Sequence, residues 1–388
     1  MVGDFYFENW SDHLTYLGNS VSNKSGGAQM AEEVTLKGKQ RFFMTGNEVI
    51  AWAAIAAKAD IMYGYPITPQ NEIMHYWTRL APKHGKKFLQ TEDEISAGFT
   101  TVGGVLAGLK AFTGTAGPGN VLMQESATMA EMMRIPIVYF IQQRGGPSTA
   151  TVIYAQQETT LTCFGGNGEG HRIVYSPANH QELFDYTFKC FNAAWTYRFP
   201  TFLMADGYQA KMREAVTLYD PEEEGIKLVP PTPFIGENKA GKEFQNLRNT
   251  YNTEEELFDI VMKNQADWDK MAPEIVEWDE KGCEDADVIL IAHGVVSRAT
   301  LGAYNELRAQ GKKVGYFRPI TMRPFPVEAI RKAVEGKKIF VTESAYGQML
   351  KMVENALYGM SVETHTYLRP GLGITTEEVI AEYNKIVG

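Results

Sequence analysis

Between residues 41 and 142 the chain alternates short apolar runs with longer stretches that carry one apolar face. Residues 41–45, 60–63, 88–91, 111–115 and 137–142 are compact hydrophobic runs, and each predicts a strand. After the first, Val49, Ile50, Ala53, Ala54 and Ala57 recur at helical spacing, with small side chains suited to packing on a sheet. Ile73, Trp77 and Leu80 form the same stripe over 71–80, and Pro69 sits where a first helical turn tolerates proline. Residues 94–109 predict a third helix built on Ala97, Gly98, Gly103, Gly104, Ala107 and Gly108. Each such glycine weakens an isolated helix by ~1 kcal/mol relative to alanine. Close approach of another backbone or of a ligand is the physical reason to carry them.

Four of these strands run into turns at 64–69, 92–94, 115–120 and 144–149. That spacing predicts a parallel α/β sheet with all four turns on its carboxyl edge, where open α/β sheets bind ligands. Glu94, Thr68 and Arg144 then converge: a carboxylate, a hydroxyl and a guanidinium. Residues 144–170 show no periodicity and end in Gly165-Gly166-Asn167-Gly168-Glu169-Gly170. A loop of that length is expected to cover a site or an interface. A strand at 171–176, a helix at 182–197 and a last strand at 201–205 complete the first domain. Residues 220–285 are acidic and contain one helix, 254–269, opened by the capping pair Thr253 and Glu256. A second α/β domain begins at 288–292, adds strands at 314–317, 339–342 and 364–368, and closes with a helix capped by Thr375 and Glu378. The predicted divisions are an N-terminal extension (1–40), a first α/β domain (41–215), an acidic connecting arm (216–285) and a second α/β domain (286–388).

Composition narrows the function. A formal charge of -10 over 388 residues argues against nucleic-acid or anionic-membrane partners, which call for a basic surface. No apolar run approaches the ~20 residues that span a bilayer. The three cysteines include no Cys-x-x-Cys pair, and no histidines stand at i, i+4 beside a glutamate. A cytoplasmic protein with reduced thiols and no metal site of its own is therefore expected. The phosphate-binding Gly-x-x-x-x-Gly-Lys-Ser/Thr loop and the Gly-x-Ser-x-Gly nucleophile elbow are both absent. Gly117-Pro118-Gly119 reads either as a tight strand–helix turn or as an anion cradle at a helix start. Glu94, alone, reads either as a dipole partner for its helix or as a functional carboxyl.

Taken together, Tyr65-Pro66-Ile67-Thr68-Pro69, Glu92-Asp93-Glu94-Ile95, Gly117-Pro118-Gly119 and Gln143 to Thr149 resemble the alpha subunit of the 2-oxoacid:ferredoxin (acceptor) oxidoreductases. Residues 318–326 (Arg-Pro-Ile-Thr-Met-Arg-Pro-Phe-Pro) and 343–348 (Glu-Ser-Ala-Tyr-Gly-Gln) resemble the same family's later motifs. The resemblance implies a pyrimidine-binding thiamin diphosphate domain followed by a transketolase C-terminal-like domain. It implies a beta subunit that holds the diphosphate and its Mg2+, and further gamma/delta-type subunits that carry the iron–sulfur clusters. By position, Glu94 matches the glutamate that bonds the cofactor's aminopyrimidine. A carboxyl in a dry site favours its protonated form and can share that proton with the ring. Thr68 and Ile67 match the loop that faces the substrate, and Arg144 the arginine for the 2-oxoacid carboxylate. Pro66, Gly117 and Pro118 line the cofactor in the same pattern.

The implied reaction is oxidative decarboxylation of a 2-oxoacid with coenzyme A, giving acyl-CoA, CO2 and a reduced acceptor. Members acting on 2-oxoglutarate typically carry Thr-x-x-Glu-Gln after the Gly-Gly-Pro-Ser-Thr loop. Here Val152, Ile153 and Tyr154 stand instead, which shifts the expectation toward a branched-chain or aryl 2-oxoacid. Two other readings stay open: half of a non-oxidative thiamin enzyme, and a non-catalytic assembly subunit.

Overall fold

Seven strands build the sheet that carries the predicted turns. They are taken here from a computed structural model that describes residues 34–149, 152–234 and 247–387. All strands of the described residues, in this sheet and outside it, are numbered in chain order, beginning with β1 (Gln40–Thr45), β2 (Ile61–Gly64), β3 (Lys87–Gln90), β4 (Ala111–Thr115), β5 (Val138–Gln143), β6 (Ile173–Tyr175) and β7 (Thr201–Asp206). Then follow β8 (Arg213–Leu218), β9 (Trp278–Lys281), β10 (Val288–Ile291), β11 (Val314–Pro319), β12 (Thr321–Arg323), β13 (Lys338–Glu343) and β14 (Thr364–Leu368). The large sheet has the order β12-β6-β7-β5-β4-β2-β3. All its neighbours are parallel except β12, which runs antiparallel to β6.

Strands β4, β5 and β7 are buried along their whole length, as a parallel sheet covered on both faces requires. On one face Phe112 and Phe140 meet Phe191 of the helix His180–Tyr197, with Trp77 of the helix Asn71–Leu80 on Phe112. On the other, Tyr139 stacks on Phe202 and packs with Ala97, Val102, Ala127 and Ala130 of the helices Glu94–Leu106 and Gln124–Met133. A second sheet, β14-β13-β10-β11-β9, is parallel except at β9.

Because β2, β3, β4 and β5 are mutually parallel, the four predicted turns do share one edge. Three expectations need correction. The strand predicted at 41–45 leaves the large sheet and pairs with β8 as an antiparallel ribbon. The strand at 201–205 is not the last of its sheet, since β12 returns from more than a hundred residues downstream to cover β6. Arg318 anchors that crossing with a two-pronged bond to Glu182 (2.9 and 3.0 Å), and the Arg323 guanidinium donates to the carbonyls of Cys163 and Gly170. A three-residue strand is too short for hydrophobic alternation to announce it. Finally, the stretch without periodicity holds a short helix, Thr159–Phe164. Most of the predicted N-terminal extension (residues 1–33) lies outside the described residues. Among the described residues no helix is long and apolar enough to cross a membrane.

Asp206 ends β7 and accepts from the N–H groups of Tyr208 (2.9 Å) and Gln209 (3.1 Å). Burial nevertheless pushes its carboxyl up to about 6 from the usual 3.8. A raised native value means the folded state holds its proton longer, so stability is lost as pH rises from 3.8 through about 6. Asp206→Asn keeps one acceptor oxygen and removes that cost. It is expected to raise Tm relative to the parent at pH 8 and to lose this advantage near pH 4, as differential scanning fluorimetry at the two pH values would show.

Candidate active site

Glu94 opens the helix Glu94–Leu106, directly after Asp93, whose side chain caps it by accepting from the Ser96 N–H at 2.7 Å. Glu94 is only 5% exposed. Burial pushes its carboxyl above the usual carboxylate range; its own backbone N–H pulls the other way, the Asp93 charge adds to the rise, and the Arg144 guanidinium opposes it least. The carboxyl lies against the turn after β4. A side chain at Gly119 would place its Cβ 2.5 Å from Glu94 Oε1 and 2.2 Å from Thr115 Oγ1. Among the described residues Thr115 Oγ1 is buried and unpartnered, and no other residue donates to the Glu94 carboxyl. A buried carboxyl with free hydrogen-bonding capacity, facing a glycine, fits the ring nitrogen of a planar heteroaromatic cofactor.

The remaining predicted residues gather around Arg144, which follows β5 and is 4% exposed. Its Nη1 donates to the Thr68 carbonyl (2.9 Å) and its Nη2 to the Thr149 carbonyl (3.0 Å). Among the described residues its Nε has no partner; it is buried beside Gly117, where a Cβ would come within 2.5 Å of it. Gly117 has φ of +55°, a conformation side-chain-bearing residues seldom adopt, so both sterics and backbone call for glycine there. Pro118 starts the short helix Pro118–Leu122. In the 64–69 turn Pro66 is exposed, Ile67 and Thr68 are half-buried, and the Ile67 carbonyl accepts from the Asn71 N–H at 2.8 Å. The structure thus brings Glu94 to the Gly117–Asn120 turn, and Arg144 to both that turn and Thr68. Arg144 reaches the Thr68 carbonyl rather than its hydroxyl.

Sequence reading missed Glu158. It is 5% exposed and accepts from three donors: the N–H of Gly117 (2.7 Å), the N–H of Arg144 (2.8 Å) and Asn120 Nδ2 (2.9 Å). Gln143 Oε1 in turn accepts from the Glu158 N–H (3.2 Å) and from Thr159 Oγ1 (3.1 Å). A signal was present: Glu158 is the sole charged residue between Arg144 and Glu169.

The chain is matched over residues 52–278 by the family model described as pyruvate flavodoxin/ferredoxin oxidoreductase, thiamine diphosphate-binding. Residues 286–379 match the model for pyruvate:ferredoxin oxidoreductase core domain II. Among curated relatives, the 2-oxoglutarate synthase subunit KorA of Methanocaldococcus jannaschii is 36% identical, over 80% of this chain and 90% of its own. The ketoisovalerate oxidoreductase subunit VorB of Methanothermobacter marburgensis is 31% identical, over 88% and 97%. Among solved structures, the 2-oxoglutarate:ferredoxin oxidoreductase from Magnetococcus marinus, with 2-oxoglutarate, coenzyme A and succinyl-CoA bound, superimposes with a TM-score of 0.80 at 25% identity. That match covers 90% of this chain and 66% of the other. A split-gene transketolase matches at a TM-score of 0.53 and 12% identity, a likeness of fold.

Proposed function

Because the chain belongs to the family of 2-oxoacid:ferredoxin oxidoreductase alpha subunits, we propose that it forms one wall of a thiamin diphosphate site. A beta subunit holds the diphosphate and Mg2+ on the other wall, and gamma/delta-type subunits carry the iron–sulfur clusters. The reaction is oxidative decarboxylation: 2-oxoacid, coenzyme A and oxidised acceptor give acyl-CoA, CO2 and reduced acceptor. The observation that carries this reading is the buried Glu94 carboxyl, raised in pKa by burial and facing Gly119 with no bond from another of the described residues.

When bound, thiamin diphosphate supplies the electron sink that a 2-oxoacid lacks for loss of its carboxylate. Glu94 holds and shares a proton at the pyrimidine ring, a role that needs a carboxyl kept from bulk water. Gly117, Pro118 and Pro66 would help to hold the ring. Arg144 keeps N–H groups beyond those that bind Thr68 and Thr149, and these take the substrate carboxylate, with Thr68 and Ile67 alongside. Ile95, Val121 and Leu122 adjoin Glu94 and Gly119 in sequence and are exposed and apolar, a surface suited to the beta subunit.

For the substrate, an apolar 2-oxoacid is the first choice. Val152 and Ile153 are exposed, and the Ile153 carbonyl accepts from the Gly145 N–H at 2.6 Å, beside Arg144. The KorA relative favours 2-oxoglutarate as the second. The test is an assay of the purified multi-subunit complex with coenzyme A and a dye acceptor. The expected result is a kcat/KM at least ~10-fold higher for 3-methyl-2-oxobutanoate or phenylglyoxylate than for 2-oxoglutarate, the scale on which apolar pockets discriminate. The reverse order assigns 2-oxoglutarate. Absence of coenzyme A-dependent reduction with every 2-oxoacid overturns the oxidative reading.

A further inference from the structure

Three consecutive polar residues, Gln156, Gln157 and Glu158, link the two sheets to the site. Gln156 turns toward the second half of the chain. Its Nε2 donates to the His293 carbonyl (2.9 Å), and its Oε1 accepts from the Ser344 N–H (3.1 Å). Gln157 Oε1 accepts from the Gly146 N–H (2.8 Å), while its carbonyl accepts from Gln348 Nε2 (2.7 Å). Glu158 turns the other way, into the site. One of its oxygens takes both backbone N–H groups, of Gly117 and Arg144, and the other takes Asn120 Nδ2. Asn120 is itself held by further bonds, donating to Thr162 Oγ1 (3.1 Å) and accepting from Gln124 Nε2 (2.8 Å).

A carboxylate this deeply buried is costly unless hydrogen bonds replace its lost water. These three bonds offset part of that cost, and bonds to a charged acceptor are about twice as strong as neutral ones, but burial still holds the Glu158 carboxyl above the usual carboxylate range. Glu158 precedes the helix Thr159–Phe164 but makes no side-chain cap bond to it, so its bonds go to the neighbouring turns. Those turns matter to the chemistry: Gly119, between Gly117 and Asn120, rests on the Glu94 carboxyl, and Arg144 carries the guanidinium.

We infer that Glu158 is the positioning residue of this site, joining the 117–120 turn to the start of the Arg144 turn so that Gly119 and Glu94 stay in register. The inference rests on the role proposed for Glu94. Glu158 touches neither substrate nor cofactor; it acts through the two turns. The Gln156–Glu158 segment thereby makes the site's geometry depend on the side of the molecule that holds His293 and Ser344.

The test uses the assembled complex carrying E158A, E158Q, E94Q or E94Q/E158A. It measures kcat, the KM for the 2-oxoacid, the assembled fraction, and thiamin diphosphate affinity by calorimetry. E158A is expected to lower kcat by about 30-fold with KM changed by less than about 5-fold, in the pattern of a lost transition-state arrangement. Its cofactor affinity should fall by roughly 10-fold for the same loss of preorganisation. E158Q keeps an oxygen toward Gly117 and Arg144 but sets its amide nitrogen against the Asn120 Nδ2 donor, so it should recover only part of that kcat. In the E94Q background E158A should cost less than about 3-fold, since residues acting as a unit are not additive. An E158A enzyme within twofold of the parent, a loss matched by the assembled fraction, or an undiminished cost in the E94Q background would each overturn the inference. Full activity in E94Q would instead overturn the functional reading beneath it, whereas an inactive E94Q beside an unaffected E158A sinks this inference alone.

Discussion

Glu94→Gln in the assembled complex is expected to lower kcat by about 10²–10³-fold, the range associated with loss of a positioned proton-transfer group. Glutamine has the same shape, so it should still fit against Gly119 and leave assembly intact. What it lacks is a proton that can be shared and returned. The same argument sets the pH dependence. Burial raises the Glu94 pKa above the ordinary carboxylate range, so its protonated form persists to higher pH than that of an exposed glutamate. Activity limited by that form declines as pH rises through the raised value, and the decline should vanish in the glutamine variant. Steady-state kcat against pH, with size-exclusion chromatography of the complex, measures both. Wild-type turnover in a fully assembled Glu94→Gln complex would remove the carboxyl from the mechanism.

Gly119→Ala is expected to be nearly as damaging, for a steric reason. The added methyl would sit 2.2 Å from Thr115 Oγ1, 2.5 Å from Glu94 Oε1 and 2.7 Å from Glu94 Cγ, distances at which something must move. Thr115 lies on a buried central strand, so the Glu94 side chain and the turn itself are what yield. Overpacking of this kind typically costs about 1–3 kcal/mol of stability. Misplacement of the carboxyl should cost about 10²-fold in kcat. Gly103→Ala is the control. Its added Cβ meets nothing within 4 Å, so it should leave kcat unchanged and stabilise the helix by about 0.5–1 kcal/mol. If thermal melting and kinetics cannot tell the two alanines apart, close approach at Gly119 is not what the site requires.

The parts legible in the sequence were those written in local chemistry. Ile73, Trp77 and Leu80 repeat at helical spacing, and that pattern predicts a helix over 71–80 with its observed bounds. The parallel sheet followed from turns placed after apolar runs, and Glu94 stood out because a family motif surrounded it. What escaped notice depends on contacts between distant residues. Glu158 lies in a stretch with no periodicity, and its three partners are two backbone N–H groups and an amide, none of which leaves a mark in composition. The crowding at Gly119 is likewise invisible until the turn is folded onto Glu94. The sequence attributes the glycines of 94–109 together to close approach, and they prove unequal. Gly98 and Gly104 face Ser126 and Tyr63 at short range, whereas Gly103 faces open space.

The return of β12 to cover β6 bears on how the chain matures during synthesis. Until residues 321–323 leave the ribosome, β6 presents an open row of backbone N–H and C=O groups, the kind of border that recruits stray strands. The nascent chain therefore passes through a long interval with one flank of its main sheet unsealed. A chain truncated before Thr321 would be left permanently in that state, prone to self-association even with every residue of the site in place.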